Sequence, residues 1–216
     1  MTQPAVDGPW IVDLGSGAVP AGVDAVDLLG GKGAGLDQML ADGMAVPPAF
    51  AVTTALCRAY LADGRIPAGL HEDVAVGMTR LEARAGKSFG SGPHPLLVSV
   101  RSGAPVSMPG MMDTILNLGM GPAVADALYE ETRDARFVAD VVGRFHRMYT
   151  DVVLGLLPDV SEWAAEDVQD EALAATSGAE IHRVVWSACQ SALQDEEGVT
   201  VPDKPRDQLV GAVEAV

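Results

Sequence analysis

Cationic side chains are scarce in this chain. Its 216 residues hold 14 Lys and Arg against 30 Asp and Glu, a formal charge of −16. A field of that sign repels nucleic acid and anionic membrane surfaces, so neither is an expected partner. Any anion has to be met by a local group of cations and backbone amides, which makes the position of each cation informative. The lysines are Lys32, Lys87 and Lys204 alone. Cysteine is nearly absent as well. Cys57 and Cys189 stand far apart and lack metal-ligand spacing, so two buried thiols in a reducing compartment are expected. The opening MTQPAVDGPW has no basic segment followed by an apolar run, and no secretory signal is read there. No stretch approaches the roughly 18 apolar residues of a membrane span. A soluble, cytoplasmic protein without a membrane partner is the expectation.

The histidines are scattered. His71, His94, His146 and His182 fall at no metal spacing and form no readable nucleophile–base pair. No metal site is assigned within the chain. His146, between Arg144 and Arg147, reads as a surface or half-buried helix residue, with Tyr149 on the polar or boundary side of the same helix.

Hydrophobic residues make up 48% of the chain, enough for a sizeable core. Trp10–Leu14 reads as a short strand, followed by a Gly15-Ser16-Gly17 turn. Residues 27–31 lead into a glycine-rich loop, and Leu36–Asp42 has helical spacing with Gly43 as its stop. Val46–Val52 is extended, because its paired prolines forbid a helix interior. Thr53 or Thr54 can cap a helix over Ala55–Ala62, and another runs near Glu72–Ala85. Leu96–Ser102 is a strand punctuated by His94-Pro95. From Ala123 onwards long amphipathic patterns dominate: Val124–Thr132, Ala135–Gly155 and Ala179–Gln194 read as helices. In the second of these, Phe137, Val141, Phe145, Met148 and Val152 recur every three or four residues. A further helix starts at Arg206. The expected architecture is a mixed α/β part over residues 1–120, a helical part over 121–200, and a closing segment over 201–216.

Three motifs can carry chemistry. The first is GGKGAG at residues 30–35. Glycines let amides approach a ligand, such amides form an anion-binding concavity, and a following helix adds its positive end. Lys32 supplies a compact cation. The pattern is neither a Walker A loop nor a dinucleotide fingerprint. On this motif alone, a phosphate cradle and a plain flexible turn stay equally open. The second motif is VSVRSGA at 98–104, where Arg101 ends a largely apolar strand and offers a planar fork for phosphate or carboxylate oxygens. An ion pair with one of the many acids is the plainer alternative. The third is SMPGMMDT, Ser107–Thr114, with three methionines, a proline and a glycine. Adaptable methionine side chains suit a surface that closes over a flat ligand, and equally suit core filling.

Taken together, DLLGGKGAGL (27–36), VPPAFAVTT (46–54), LLVSVRSGAPVSMPGMMDTILNLG (96–119) and RFVADVVGRFHRMYTDVVLG (136–155) resemble the N-terminal part of pyruvate, phosphate dikinase. The methionine-rich loop is the most specific element. The related phosphoenolpyruvate synthases share the GGKGA and VRSS-type motifs and are expected to differ in that loop.

The resemblance implies an α/β (α+β) fold: the N-terminal lobe of an ATP-grasp domain, with an inserted all-helical subdomain, cut before the second lobe. The full enzyme it points to converts ATP, phosphate and pyruvate to AMP, pyrophosphate and phosphoenolpyruvate through a phosphohistidine. On the resemblance, Lys32 binds the ATP phosphates, flanked by Gly31 and Gly33. Arg101 neutralises charge during phosphoryl transfer. Ser107, Met108, Pro109, Gly110, Met111, Asp113 and Thr114 belong to a lid over the phosphates. Gly35 and Pro105 depart from the family's usual residues and touch neither cation. ATP and Mg²⁺ are the expected cofactors, with the metal ligands outside this chain. The expected partners are ATP and the missing C-terminal domains: the second lobe, the phosphohistidine domain with its T-S-H-A motif, and a pyruvate-binding barrel. The chain alone is expected to be inactive. The alternatives are a non-catalytic interaction module built on the helical half, and part of a phosphoenolpyruvate synthase-like dikinase.

Overall fold

The computed structural model of the protein describes residues 10–103, 113–157, 159, 160, 170, 174 and 180–216. The chain divides into two compact units: Met1–Gly86 with Ser102–Met112, and Lys87–Arg101 with Asp113–Val216.

The first unit is built on a two-stranded ribbon. Strand β1 (Ile11–Asp13) pairs antiparallel with β2 (Phe50–Val52), Val12 standing opposite Ala51. Three helices accompany the ribbon: α1 (Ala25–Ala41), α2 (Thr54–Asp63) and α3 (Leu70–Ala85). The Asp24 carboxylate caps α1 by accepting from the amides of Val26 and Asp27 at 2.7 and 3.4 Å, satisfying donors that have no helical partner. Val12 and Leu14 from the ribbon meet Leu28 and Leu29 from α1 in a small core, with Leu36, Leu40, Ala49 and Ala51 around it. Helix α3 lies against β1, where a Cβ on Gly77 would come within 2.8 Å of Ile11 Cδ1. Its arginines tie it down: Arg80 pairs with Asp13, and Arg84 donates to the carbonyls of Leu14 and Ala49 at 2.9 and 3.2 Å. Cys57, expected to be buried, is exposed on α2; Cys189 is buried.

The second unit joins a hairpin to helices. Strand β3 (Val98–Arg101) pairs antiparallel with β4 (Thr114–Leu118), with a register shift between Val98 and Val100. Four helices of this unit are fully described: α4 (Pro122–Thr132), α5 (Ala135–Val152), α6 (Ile181–Glu197) and α7 (Pro205–Ala215). Proline at the first helical position of α4 and α7 costs no hydrogen bond there. Asp134 caps α5 through the Phe137 amide at 3.0 Å, and Gly198 ends α6 in the left-handed conformation. Helix α5 packs against both α6 and β4. Its buried face is Val138, Ala139, Val142, Phe145, His146, Tyr149 and Thr150. That face is rotated from the expected one. Phe137 is about half exposed, and His146 and Tyr149, read as surface or boundary residues, are buried.

Gln208 of α7 is fully buried and spends its whole amide on backbone groups. Its Oε1 accepts from the Gly119 amide at 2.8 Å, and its Nε2 donates to the carbonyls of Met120 and Pro202, each at 2.7 Å. The hairpin end, the segment before α7 and α7 itself are thereby joined at one side chain.

His146 makes the second unit acid-sensitive. Its Nδ1 lies 2.9 Å from the Val142 carbonyl, which can only accept, so Nδ1 carries the proton. Burial among aromatic rings then holds its pKa down from 6.5 to about 4. The unfolded chain takes up a proton below about pH 6.5, while the folded one resists until about pH 4. Stability is therefore expected to fall by about 3 kcal/mol as pH drops through that window, and to level off below it. Urea unfolding at a series of pH values reads the slope, and a His146→Phe variant should flatten it.

Candidate functional site

The glycine-rich stretch is not a free loop ahead of a helix. It lies inside α1, which breaks at Gly30 (φ 69°, ψ 168°) and resumes at once. That backbone region is essentially closed to residues with a Cβ, so glycine is required by conformation. Helix propensity argues against four glycines in a helix. The Asp24 cap and the burial of Leu28 and Leu29 against the ribbon override it.

The break makes the next residues the first turn of a restarted segment. Amides just past such a break lose their alignment with the carbonyls four residues back and become available to a ligand. Gly31 is exposed, and the space its Cβ would fill is open. Gly33 is needed for another reason: a Cβ there would lie 2.9 Å from Leu29 Cβ and 3.8 Å from Ala51 Cβ. The restarted segment can therefore lie close to β2. Lys32 stands between these glycines with an exposed side chain and, among the described residues, no ion-pair partner. An ammonium with three donors, beside amides at a positive helix end, can donate to phosphate oxygens.

Arg101 ends β3 in the second unit, opposite Thr114 of β4. Its side chain is exposed and has no carboxylate partner among the described residues, so the ion-pair alternative is not realised there. Asp113 is exposed just ahead of β4, and Thr114 is half-buried as its first residue. Ser107, Met108, Pro109, Gly110 and Met111 lie outside the described residues. Among the described residues no three His, Cys, Asp or Glu side chains gather as a metal site. Among the described residues, those around Lys32 do not fit Mg²⁺, which takes carboxylate and other oxygen ligands that do not gather there.

A polar cluster in the second unit went unread in the sequence. Asp126 of α4 takes the Arg183 guanidinium in a fork, Nε at 2.6 Å and Nη2 at 2.8 Å, and holds His182 Nε2 at 2.9 Å. The Arg183 hydrogen bonds, opposed by burial and helped by His182, hold the Asp126 carboxyl below the usual carboxylate range. Tyr129 stacks on His182 at 5.5 Å. These contacts fasten α4 to α6; no spacing in the sequence announces them, since 56 residues separate Asp126 from His182. A shallow depression of about 430 Å³ on α6, lined by Glu180, Arg183, Val184, Ser187, Ala188 and Ser191, holds neither Lys32 nor Arg101. No helix among the described residues is long and apolar enough to cross a membrane.

Residues 26–78 match the family described as "Pyruvate phosphate dikinase, AMP/ATP-binding domain". The match runs from the start of α1 into α3 and includes Lys32. The chain is 42% identical over 212 residues to the pyruvate, phosphate dikinase of Rhizobium meliloti (strain 1021), covering 96% of this chain and 24% of the relative. It is 42% identical over 196 residues to that of Giardia intestinalis, and 39% over 198 residues to that of Clostridium symbiosum, each covering 88% of this chain and 22% of the relative. The chain thus spans about a quarter of the length of these curated relatives. The mixed α/β fold is consistent with a nucleotide-binding domain at the N-terminal end of such an enzyme.

Proposed function

We infer that this chain, which belongs by sequence to the pyruvate, phosphate dikinase family, supplies one wall of an ATP phosphate site in a longer phosphotransferase. The whole enzyme would convert ATP, phosphate and pyruvate to AMP, pyrophosphate and phosphoenolpyruvate. One observation carries the reading: in a chain of charge −16, Lys32 stands exposed and unpaired among the described residues, where α1 restarts after Gly30. A cation left unneutralised amid an excess of carboxylates is suited to an anion from outside the fold. Lys32, with the amides of Gly31 and Gly33, grips phosphate oxygens. By the motif resemblance alone, Arg101 is assigned to neutralising charge on the transferring group and Ser107–Thr114 to the lid. Phosphoryl transfer asks for positioning and charge stabilisation more than for covalent chemistry from the protein.

The same reading assigns residues 1–120 to a first ATP-grasp subdomain, 121–200 to an inserted helical one, and 201–216 to the return towards the first. Magnesium and its carboxylate ligands, the adenine pocket and the phosphohistidine would come from the remainder of the enzyme.

Calorimetric titration with Mg-ATP tests the proposal. The 216-residue chain should bind weakly or not at all, and the full-length protein should bind measurably. Tight binding by the short chain would show that one wall suffices. Absence of binding by the full-length protein would remove the nucleotide from the proposal altogether.

A further inference from the structure

Two hydrogen bonds hold the helix break at Gly30 from either side, and both are anchored on the same ribbon. Before the break, Thr54 Oγ1 donates to the Asp27 carbonyl at 2.5 Å. Thr54 is the first residue of α2 and follows β2 across Thr53 alone. After the break, Asp37 Oδ1 accepts from the Gly15 amide at 2.7 Å. Gly15 follows β1 across Leu14, whose own amide donates to Ala49 beside β2 at 3.0 Å. Thr54 therefore ties the first half of α1 to the end of β2, and Asp37 ties the second half to the end of β1. The two strands pair directly with each other, so the ribbon sets the angle between the halves.

A glycine at φ 69° imposes no stiffness of its own, because glycine reaches many conformations at little cost. Something else has to fix the direction in which Lys32 leaves the break. Lys32 stands two residues past Gly30 and five before Asp37. A change in the break angle swings its ammonium relative to the ribbon, and phosphate recognition loses strength steeply when a donor moves by about an ångström.

We propose that Thr54 and Asp37 are positioning residues that fix the Gly30 break and so aim Lys32 at the nucleotide phosphates. The proposal rests on the phosphate-binding reading of Lys32. Neither side chain needs to touch the ligand: the Thr54 hydroxyl acts on the carbonyl of Asp27, and the Asp37 carboxylate on the amide of Gly15.

The test is a double-mutant cycle in the full-length protein, read as kcat and the KM for ATP. Thr54→Val should raise the KM for ATP about tenfold, the fold-change that corresponds to about 1.4 kcal/mol for one lost hydrogen bond. Thr54→Ser, which keeps the hydroxyl, should restore it to within about twofold of the parent. Asp37→Ala should behave like Thr54→Val, and Asp37→Asn, which keeps an acceptor oxygen, like Thr54→Ser. In a Lys32→Ala background both breaking substitutions should change the KM by less than about twofold, because they act through the missing ammonium. A merely structural role predicts the opposite: the same fold-change with or without Lys32, following the loss of thermal stability. That additive result overturns the proposal and leaves the role of Lys32 standing. If Lys32→Ala itself leaves the KM and kcat for ATP unchanged, the underlying phosphate reading falls and this proposal falls with it. The Asp37 pair keeps the test decisive if Thr54→Val does not fold.

Discussion

Replacing Lys32 by alanine in the full-length protein should slow phosphoryl transfer from ATP by about a hundredfold or more. The size follows from where the lysine stands. Its exposed ammonium has no carboxylate partner among the described residues, so removing it leaves no internal acid unpaired and costs the fold little. The whole effect should fall on the ligand. The amides of Gly31 and Gly33 remain in the variant, which is why residual transfer is expected rather than none. Arg101→Ala should lose activity on a similar scale, and Arg101→Lys should recover little of it, since a point charge does not reproduce a planar fork. Single-turnover transfer measured at saturating ATP separates the two cations: the loss at Arg101 should persist there, whereas part of the loss at Lys32 should be overcome. A Lys32→Ala enzyme within twofold of the parent would make the lysine an ordinary surface residue and return the glycine stretch to a structural break.

The second large effect concerns stability. Phe145 is fully buried where α5 meets α6. Its ring stacks on Trp186 at 6.3 Å and lies 5.7 Å from both Tyr149 and His146. Phe145→Ala should destabilise the second unit by about 4 kcal/mol, combining lost transfer energy with a cavity that three rigid rings cannot close. Guanidinium unfolding followed by tryptophan fluorescence reads it through Trp186, which sits in the same cluster. A cost below about 1 kcal/mol would mean that the seam between the two helices is loosely packed and that the unit draws its stability from elsewhere.

The elements legible in the sequence were those specified by local chemistry. The strand at Trp10–Leu14, the start of α2 beside Thr53 and the end of α1 before Gly43 follow from residues close in the chain. Where distant partners decide, the reading slipped. In α5, the series 137, 141, 145, 148, 152 and the series 138, 142, 145, 149 share Phe145 and have the same spacing, so period alone could not choose between them. Packing against β4 and α6 selects the second and turns His146 inward. Strand β4 was not foreseen, because its short TILNL run with Asn117 at φ 60° becomes a strand only when paired with β3. The glycine stretch reads as a loop in the sequence, since four glycines in six residues carry no helical signal of their own. The Asp24 cap, the buried leucines and the ties from Thr54 and Asp37 hold it helical on both sides of one break. Lys32 and Arg101 stand out in the sequence as candidates through motif resemblance alone. Their exposure and their freedom from acids among the described residues depend on the fold and have no sequence signal.

The buried amide of Gln208 has a consequence for the order of events as the protein is made. The Gly119 amide stands 89 residues before the side chain that accepts from it, and the Met120 carbonyl 88. Closing so long a loop is slow, and a growing chain has nothing to close it with until residue 208 has been synthesised. Until then the end of β4 must leave these backbone groups to water. The first unit's ribbon, complete by Val52, carries no such delay. The ribbon beside Lys32 can therefore be paired while the hairpin that carries Arg101 is still waiting for α7.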